Sequence, residues 1–193
     1  MFTANDLQNY GLEPYQYHLV IARLEPENNI DTILEAHTLQ DISIPVIVIG
    51  NHKTVYGSFL KNKFEKYAHI KFIGAIYDKK VLDSIRHFSK RYFHGHSVGG
   101  TNPSLLEAMA CSCNIIAHDN IFNKSVLENE ALFFSNAQHL SDTISNGQEQ
   151  QHFFEKATFV NLEKIKTFFS EEHIFSELKN FFILLKNRNV KRR

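Results

Sequence analysis

Six short apolar runs alternate with stretches of helical spacing along the first two thirds of the chain, and this alternation constrains the fold more than any other feature. The runs cover 18–22, 45–50, 69–73, 91–94, 114–117 and 131–134. They are rich in Val, Ile, Leu and Phe, and several end at Gly or a polar turn. Such uninterrupted apolar runs suit strands buried on both faces of a parallel sheet. Between them lie helical patterns: Ile30, Ile33, Leu34 and His37; a helix from Tyr56 to Tyr67 with Phe59, Leu60 and Phe64 on one side; Val81, Leu82 and Ile85 after a capping Asp78; Pro103 to Ala110; and Ile121 to Leu127.

Strands alternating with helices at this spacing predict right-handed βαβ units and an α/β domain. The expected fold is a Rossmann-like open parallel sheet of about six strands flanked by helices, with further helices at the C-terminus. Residues 1–16 are polar and read as a linker or lead-in, 17–170 as the binding domain, and 171–193 as a C-terminal helix with a basic tail. After Gln138 the pattern is helical only, with long helices at 153–168 and 171–186.

Composition removes some functions. Lys+Arg and Asp+Glu both number 21, so the basic excess of a nucleic-acid binder is missing. Cys111 and Cys113, one residue apart, make a poor disulfide framework and point to a reducing compartment. No apolar run reaches membrane-spanning length, and the chain opens without a basic-then-apolar leader. A cytoplasmic protein is expected. A peripheral contact with a membrane surface stays open because 186–193 is strongly basic.

In a doubly wound sheet, ligands bind beyond the carboxyl ends of the strands. The most informative such stretch is 94–110, His-Gly-His-Ser-Val-Gly-Gly-Thr-Asn-Pro-Ser-Leu-Leu-Glu-Ala-Met-Ala. Gly99 and Gly100 allow close backbone approach, and Thr101 or Asn102 can cap a helix opened by Pro103. Free amides and the helix dipole then favour an anion such as a diphosphate. Glu107, about one turn into that helix, can reach a sugar hydroxyl beside it. The competing reading is a tight turn before a packed helix. Arg23, closing the first strand, can fork two phosphate oxygens, against the alternative of a surface pair with Glu25 or Glu27. His94, His96, His118 and Asp119 invite a metal, but His-x-His without a firm third ligand fits better one packed and one hydrogen-bonded histidine. The cysteines lie at the far end of the helix and read as small buried residues.

Ser104-Leu105-Leu106-Glu107-Ala108-Met109-Ala110 followed by 114–117 resembles the signature of the retaining GT-B glycosyltransferases of family four. Residues 22–29, Ala-Arg-Leu-Glu-Pro-Glu-Asn-Asn, resemble the opening of their C-terminal domain, and 94–103 is similar to bacterial polysaccharide enzymes of the rhamnosyltransferase type. The resemblance runs from about Tyr17 to the C-terminus. It implies one half of a GT-B fold that binds a nucleotide-diphosphate sugar, UDP- or dTDP-linked, for retaining transfer to a polysaccharide or lipid-linked glycan acceptor. Arg23 and Glu107 would carry the catalytic roles. Arg23 would contact the diphosphate, Gly99, Gly100, Thr101 and Asn102 would surround it with amides, and Glu107 would hold the ribose hydroxyls. Ile76 and Tyr77 would line the base pocket, with His94 and Asn28 completing the donor residues. No cofactor or metal would be needed, since arginine and amide dipoles stabilise the leaving group.

The chain departs from the family pattern in two places. A second glutamate expected eight residues before Glu107 is Gly99, and a lysine often found five residues after the arginine is Asn28. The alternative function is therefore a non-catalytic nucleotide-binding or interaction module with a degenerate site. The resemblance also implies a separate N-terminal domain carrying the acceptor, so the chain alone is expected to be inactive. Part of the surface of Phe175, Phe181, Phe182 and Leu185 that would pack on that domain is expected to be uncovered, so that the chain self-associates through this helix or lets it swing away from its usual position.

Overall fold

The computed structural model describes residues 2–40, 44–146 and 150–190, with side chains through residue 186. Its centre is a parallel sheet of six strands: β1 His18–Ile21, β2 Val46–Ile49, β3 Ile70–Gly74, β4 Arg91–His94, β5 Ile115–His118 and β6 Leu132–Phe134. They lie in the order β3-β2-β1-β4-β5-β6. The register places Val20 of β1 between Val48 of β2 and Phe93 of β4. Strands with apolar residues on both faces need cover on both, and helices supply it.

One face packs Leu19, Ile47, Tyr92 and Ile115 against α1 (Asn5–Gln8), α4 (Lys79–His87) and α5 (Pro103–Ala110). The other packs Val20, Val48, Phe93 and Ile116 against α2 (Ile30–Ala36), α3 (Val55–Phe64) and α7 (Ala137–Ser145). Each fully buried Leu, Ile, Val or Phe contributes about 1.5–3 kcal/mol of apolar transfer. The layers are closed by α6 (Ile121–Leu127) and α8 (Gln151–Phe168), and α9 (Glu171–Val190) follows.

The expected α/β architecture is the one observed, and Arg91–His94, Pro103–Ala110 and Ile121–Leu127 have the expected limits. Asp78 caps α4, its Oδ1 accepting from the amides of Lys80 and Val81 at 2.9 and 3.3 Å. Three details differ. Phe59 does not join Leu60 and Phe64 in the core; half of it faces solvent. The helical region after Gln138 opens with a helix of its own, α7, capped by Asn136. The opening segment, expected as a lead-in, is docked: Leu7 is fully buried, and the amide of Tyr15 donates to the carbonyl of Phe88 at 2.7 Å. Of that segment, Met1 lies outside the described residues, as do residues 191–193 of the basic tail.

The last helix behaves differently from the rest. Helix α9 packs on α8, and Phe175 and Phe182 are 72% and 64% exposed. Phe181 and Leu185 are exposed as well. Among the described residues, no helix is long and apolar enough to cross a membrane.

Candidate functional site

The strand order reverses direction between β1 and β4. Connections leave these neighbours toward opposite edges of the sheet, so their carboxyl ends open a crevice. Two glycines shape it. A Cβ on Gly50, after β2, would lie 2.3 Å from the carbonyl oxygen of Ala22. A Cβ on Gly95, after β4, would lie 2.0 Å from that of Asn28. Both turns press on the backbone that follows β1, at distances only glycine permits.

Asparagines then tie the loops together. Asn28, at the end of a short 3-10 turn (Pro26–Asn28), is 6% exposed. Its Nδ2 donates to the carbonyl of Arg23 at 2.8 Å, and its Oδ1 lies 2.9 Å from Nδ1 of His96. Asn29 stands in the left-handed region (φ +47°), which asparagine tolerates. It donates to the carbonyl of Gly95 at 2.7 Å. From the other side, Asn120, the N-cap of α6, and Asn123 within it both donate to the carbonyl of His96 at 3.0 Å. The loop after β4 is thus held from two flanks before any ligand arrives.

Two cavities straddle the end of β1. One, of about 280 Å³, lies between β1 and β4; its lining includes Arg23, Asn28, His94, His96, Asn102 and Ser104, and no carboxylate. The other, of about 420 Å³, lies between β1, β2 and β3 and is mostly apolar, with Leu24, Ile49, Ile76 and Tyr77 among its lining residues. Asn51 and Thr54 add polar groups there, and Arg23 borders both cavities. Its side chain is 80% exposed, 3.9 Å from Glu27. An exposed pair of this kind holds the arginine only weakly.

Gly99, Gly100 and Thr101 form an exposed turn before α5, with Gly99 at φ +79°. Their amides donate no hydrogen bond to any described residue. Asn102 is the N-cap, its Oδ1 accepting from the amide of Ser104 at 2.9 Å. Free amides at a helix start make an anion-attracting corner. Beneath it, His94 stacks on Tyr92 with ring centroids 6.4 Å apart, and the hydroxyls of Tyr92 and Ser104 lie 2.9 Å apart. Burial, and then the neighbouring His96, push the pKa of His94 down to about 3, so its ring is neutral. Its Nε2 is buried without a partner.

Glu107 borders neither cavity. Its carboxylate is held by Arg86 of α4, a buried guanidinium that also bonds Asp83 at 3.0 Å. Sequence reasoning missed Arg86 because Asp83 and Arg86, three apart on a helix, look like an ordinary surface pair. It also missed the clamp made by Asn28, whose partner His96 is 68 residues away. Of the expected donor residues, then, the structure gathers Arg23, Asn28, His94 and Asn102 around one cavity and Ile76 and Tyr77 around the other. Gly99, Gly100 and Thr101 line neither cavity and directly precede Asn102. Cys111 and Cys113 are free and buried at the far end of α5, and burial raises both thiols, Cys111 to about 12. No group of three or more His, Cys, Asp or Glu that could hold a metal occurs among the described residues.

The fold is similar to several solved structures. The C-terminal domain of the glycosyl transferase group 1 family protein LpcC from Francisella tularensis superposes with a TM-score of 0.68 at 19% identity, over 84% of this chain and 90% of that domain. A glycosyltransferase from Rickettsia africae matches with a TM-score of 0.80 at 14% identity, over 95% of this chain and 52% of that one. Anabaena HepE, solved in complex with UDP and glucose, matches with a TM-score of 0.71 at 15% identity, over 83% of this chain and 47% of its own. The chain therefore spans nearly all of the isolated domain but only about half of the two longer proteins. No curated protein matches the sequence. The family model of the group 1 glycosyl transferases matches residues 4–158, most of the length, and the chain belongs to that family.

Proposed function

We propose that the chain binds the activated donor of a glycosyl transfer, a nucleoside diphosphate-linked sugar, across the two cavities at the end of β1. The observation that carries this reading is a cavity without carboxylates lined by Arg23 and by the helix N-cap Asn102, with the unpaired amides of Gly99, Gly100 and Thr101 directly before that cap. A diphosphate there meets hydrogen-bond donors and one cation. The base occupies the apolar cavity with Ile76 and Tyr77, and the sugar projects past His94. In the transfer, negative charge grows on the leaving diphosphate. In this reading Arg23 and the amides stabilise that charge, so no metal or other cofactor is needed. The UDP and glucose of the HepE complex support a donor of this class.

Retention of configuration, the family-four and rhamnosyltransferase assignments, and a polysaccharide or lipid-linked acceptor at the cytoplasmic face of a membrane rest on the sequence resemblance. The acceptor side belongs to a second domain, so the chain alone binds without transferring. Calorimetric titration with UDP-, dTDP- and GDP-sugars, with and without EDTA, tests the reading. Binding of one series, unchanged by EDTA, is expected; no binding of any removes it. Binding without transfer even in the presence of the second domain favours the non-catalytic module, to which the replacement of a family glutamate by Gly99 and of a family lysine by Asn28 lends support.

A further inference from the structure

In the loop after β4, His96 is held at three points. Its ring Nδ1 lies 2.9 Å from Oδ1 of Asn28, and its carbonyl accepts from Asn120 and Asn123 at 3.0 Å. The next residue, Ser97, donates from its amide and its hydroxyl to the carbonyl of Glu27 at 3.0 and 2.9 Å. A side chain fixed this firmly loses little further freedom when a ligand meets it.

Asn28 decides which nitrogen of that ring carries the proton. Its Nδ2 donates to the carbonyl of Arg23 at 2.8 Å, so the amide oxygen is the atom that faces His96. An amide oxygen only accepts, so Nδ1 of His96 donates. In the neutral ring Nε2 is then left with a lone pair. No described residue bonds Nε2, and unlike Nε2 of His94 it is not sealed from solvent. The ring lines the cavity between β1 and β4.

Neighbouring side-chain acceptors in that cavity are engaged. Oδ1 of Asn28 is taken by His96 and Oδ1 of Asn102 by the amide of Ser104, while the hydroxyl of Ser104 pairs with that of Tyr92. Arg23 only donates. The wall holds a second imidazole, His94, its ring centroid 6.2 Å from that of His96, and no carboxylate. A lone pair at Nε2 repels a phosphate oxygen, which is another acceptor, and attracts a hydroxyl. The position therefore suits the sugar rather than the diphosphate.

We propose that His96 is a specificity-determining residue of the donor site, its Nε2 accepting a hydrogen bond from a hydroxyl of the donor sugar. This rests on the donor-binding reading above. A sugar without a hydroxyl at that point forgoes the bond, which makes the contact selective.

The test titrates the 193-residue chain with the tightest-binding nucleotide sugar of the UDP, dTDP and GDP series and with the matching nucleoside diphosphate. His96→Asn keeps an amide nitrogen where Nδ1 stands, and with it the tie to Asn28, but leaves nothing in place of Nε2. It should weaken the nucleotide sugar about three- to tenfold more than the nucleoside diphosphate, the scale of one hydrogen bond. Equal loss for both ligands marks a structural tie, and a greater loss for the nucleoside diphosphate marks a phosphate contact. Either result overturns the proposal, as does no loss at all. Should His96→Asn not fold, long-range proton–nitrogen correlation spectra of the wild-type imidazoles read the ring directly. A bare Nε2 whose resonance moves with the nucleotide sugar and not with the nucleoside diphosphate supports the contact. A proton on Nε2, or a resonance that answers both ligands alike, overturns it. Wild type that binds none of the nucleotide sugars removes the donor reading itself, whereas binding to which His96 is indifferent removes this inference alone.

Discussion

Arg23 and His94 stand in opposite electrostatic situations a short distance apart. Arg23 is solvated and loosely paired, so its removal should leave the fold intact. Arg23→Ala is expected to weaken a nucleoside diphosphate by about 1.5–3 kcal/mol, read by calorimetry at constant salt, with the thermal midpoint unchanged. An equal loss for the corresponding nucleoside would show that Arg23 does not contact phosphate. His94 is buried and neutral, and acid stability reveals it. Its folded pKa of about 3 lies below the unfolded value near 6.5, so the unfolded chain takes up the proton first. Stability from this group is complete above pH 6.5 and is lost as pH falls toward 3. Between pH 6.5 and 5 the loss should be about 2 kcal/mol, visible as a falling urea midpoint, and His94→Gln should flatten that slope by one proton. An unaltered slope would show that His94 is not neutral in the fold. The candidates Arg23, His94 and Glu107 were legible in the sequence because each sits on or next to an element whose periodicity is local. Their partners were not. Asn28 with His96, and Arg86 with Glu107, join residues whose separation is set by the folded loops.

At the scale of elements, the helix start at Asn102 does most to make the site. Its side chain closes the first turn, which leaves the preceding amides of Gly99, Gly100 and Thr101 free. Asn102→Ala should cost about 1 kcal/mol of stability in denaturant unfolding, and should weaken diphosphate binding further because the turn is no longer anchored. Affinity unchanged at that loss of stability would separate the cap from the site. The strands were readable because a parallel sheet buries both faces and so leaves continuous apolar runs. Phe59 was misjudged because a helical pattern gives the spacing of a face but not its width: α3 buries Leu60 and Phe64, and the adjacent Phe59 falls at the edge of the stripe. The docking of the opening segment was hidden because Leu7 and Leu12 are isolated apolar residues in a polar stretch, and their burial depends on where α4 happens to lie.

For the molecule as a whole, the candidate site and the exposed apolar side chains of α9 are made by different residues. Phe175, Phe181 and Phe182 face solvent on α9, an apolar surface of the kind that marks an interface. The isolated chain is expected to self-associate with rising concentration, and Phe181→Ser should reduce the apparent mass in light scattering; a strictly monomeric wild type would refute this. The loops of the candidate site, by contrast, are already tied together. The asparagines that grip the loop after β4 from both flanks mean that its ordering is accomplished when the chain folds, not when the nucleotide arrives. Capture should then be kinetically simple. In stopped flow the observed rate should climb linearly with nucleotide concentration, without the plateau that a rate-limiting rearrangement imposes.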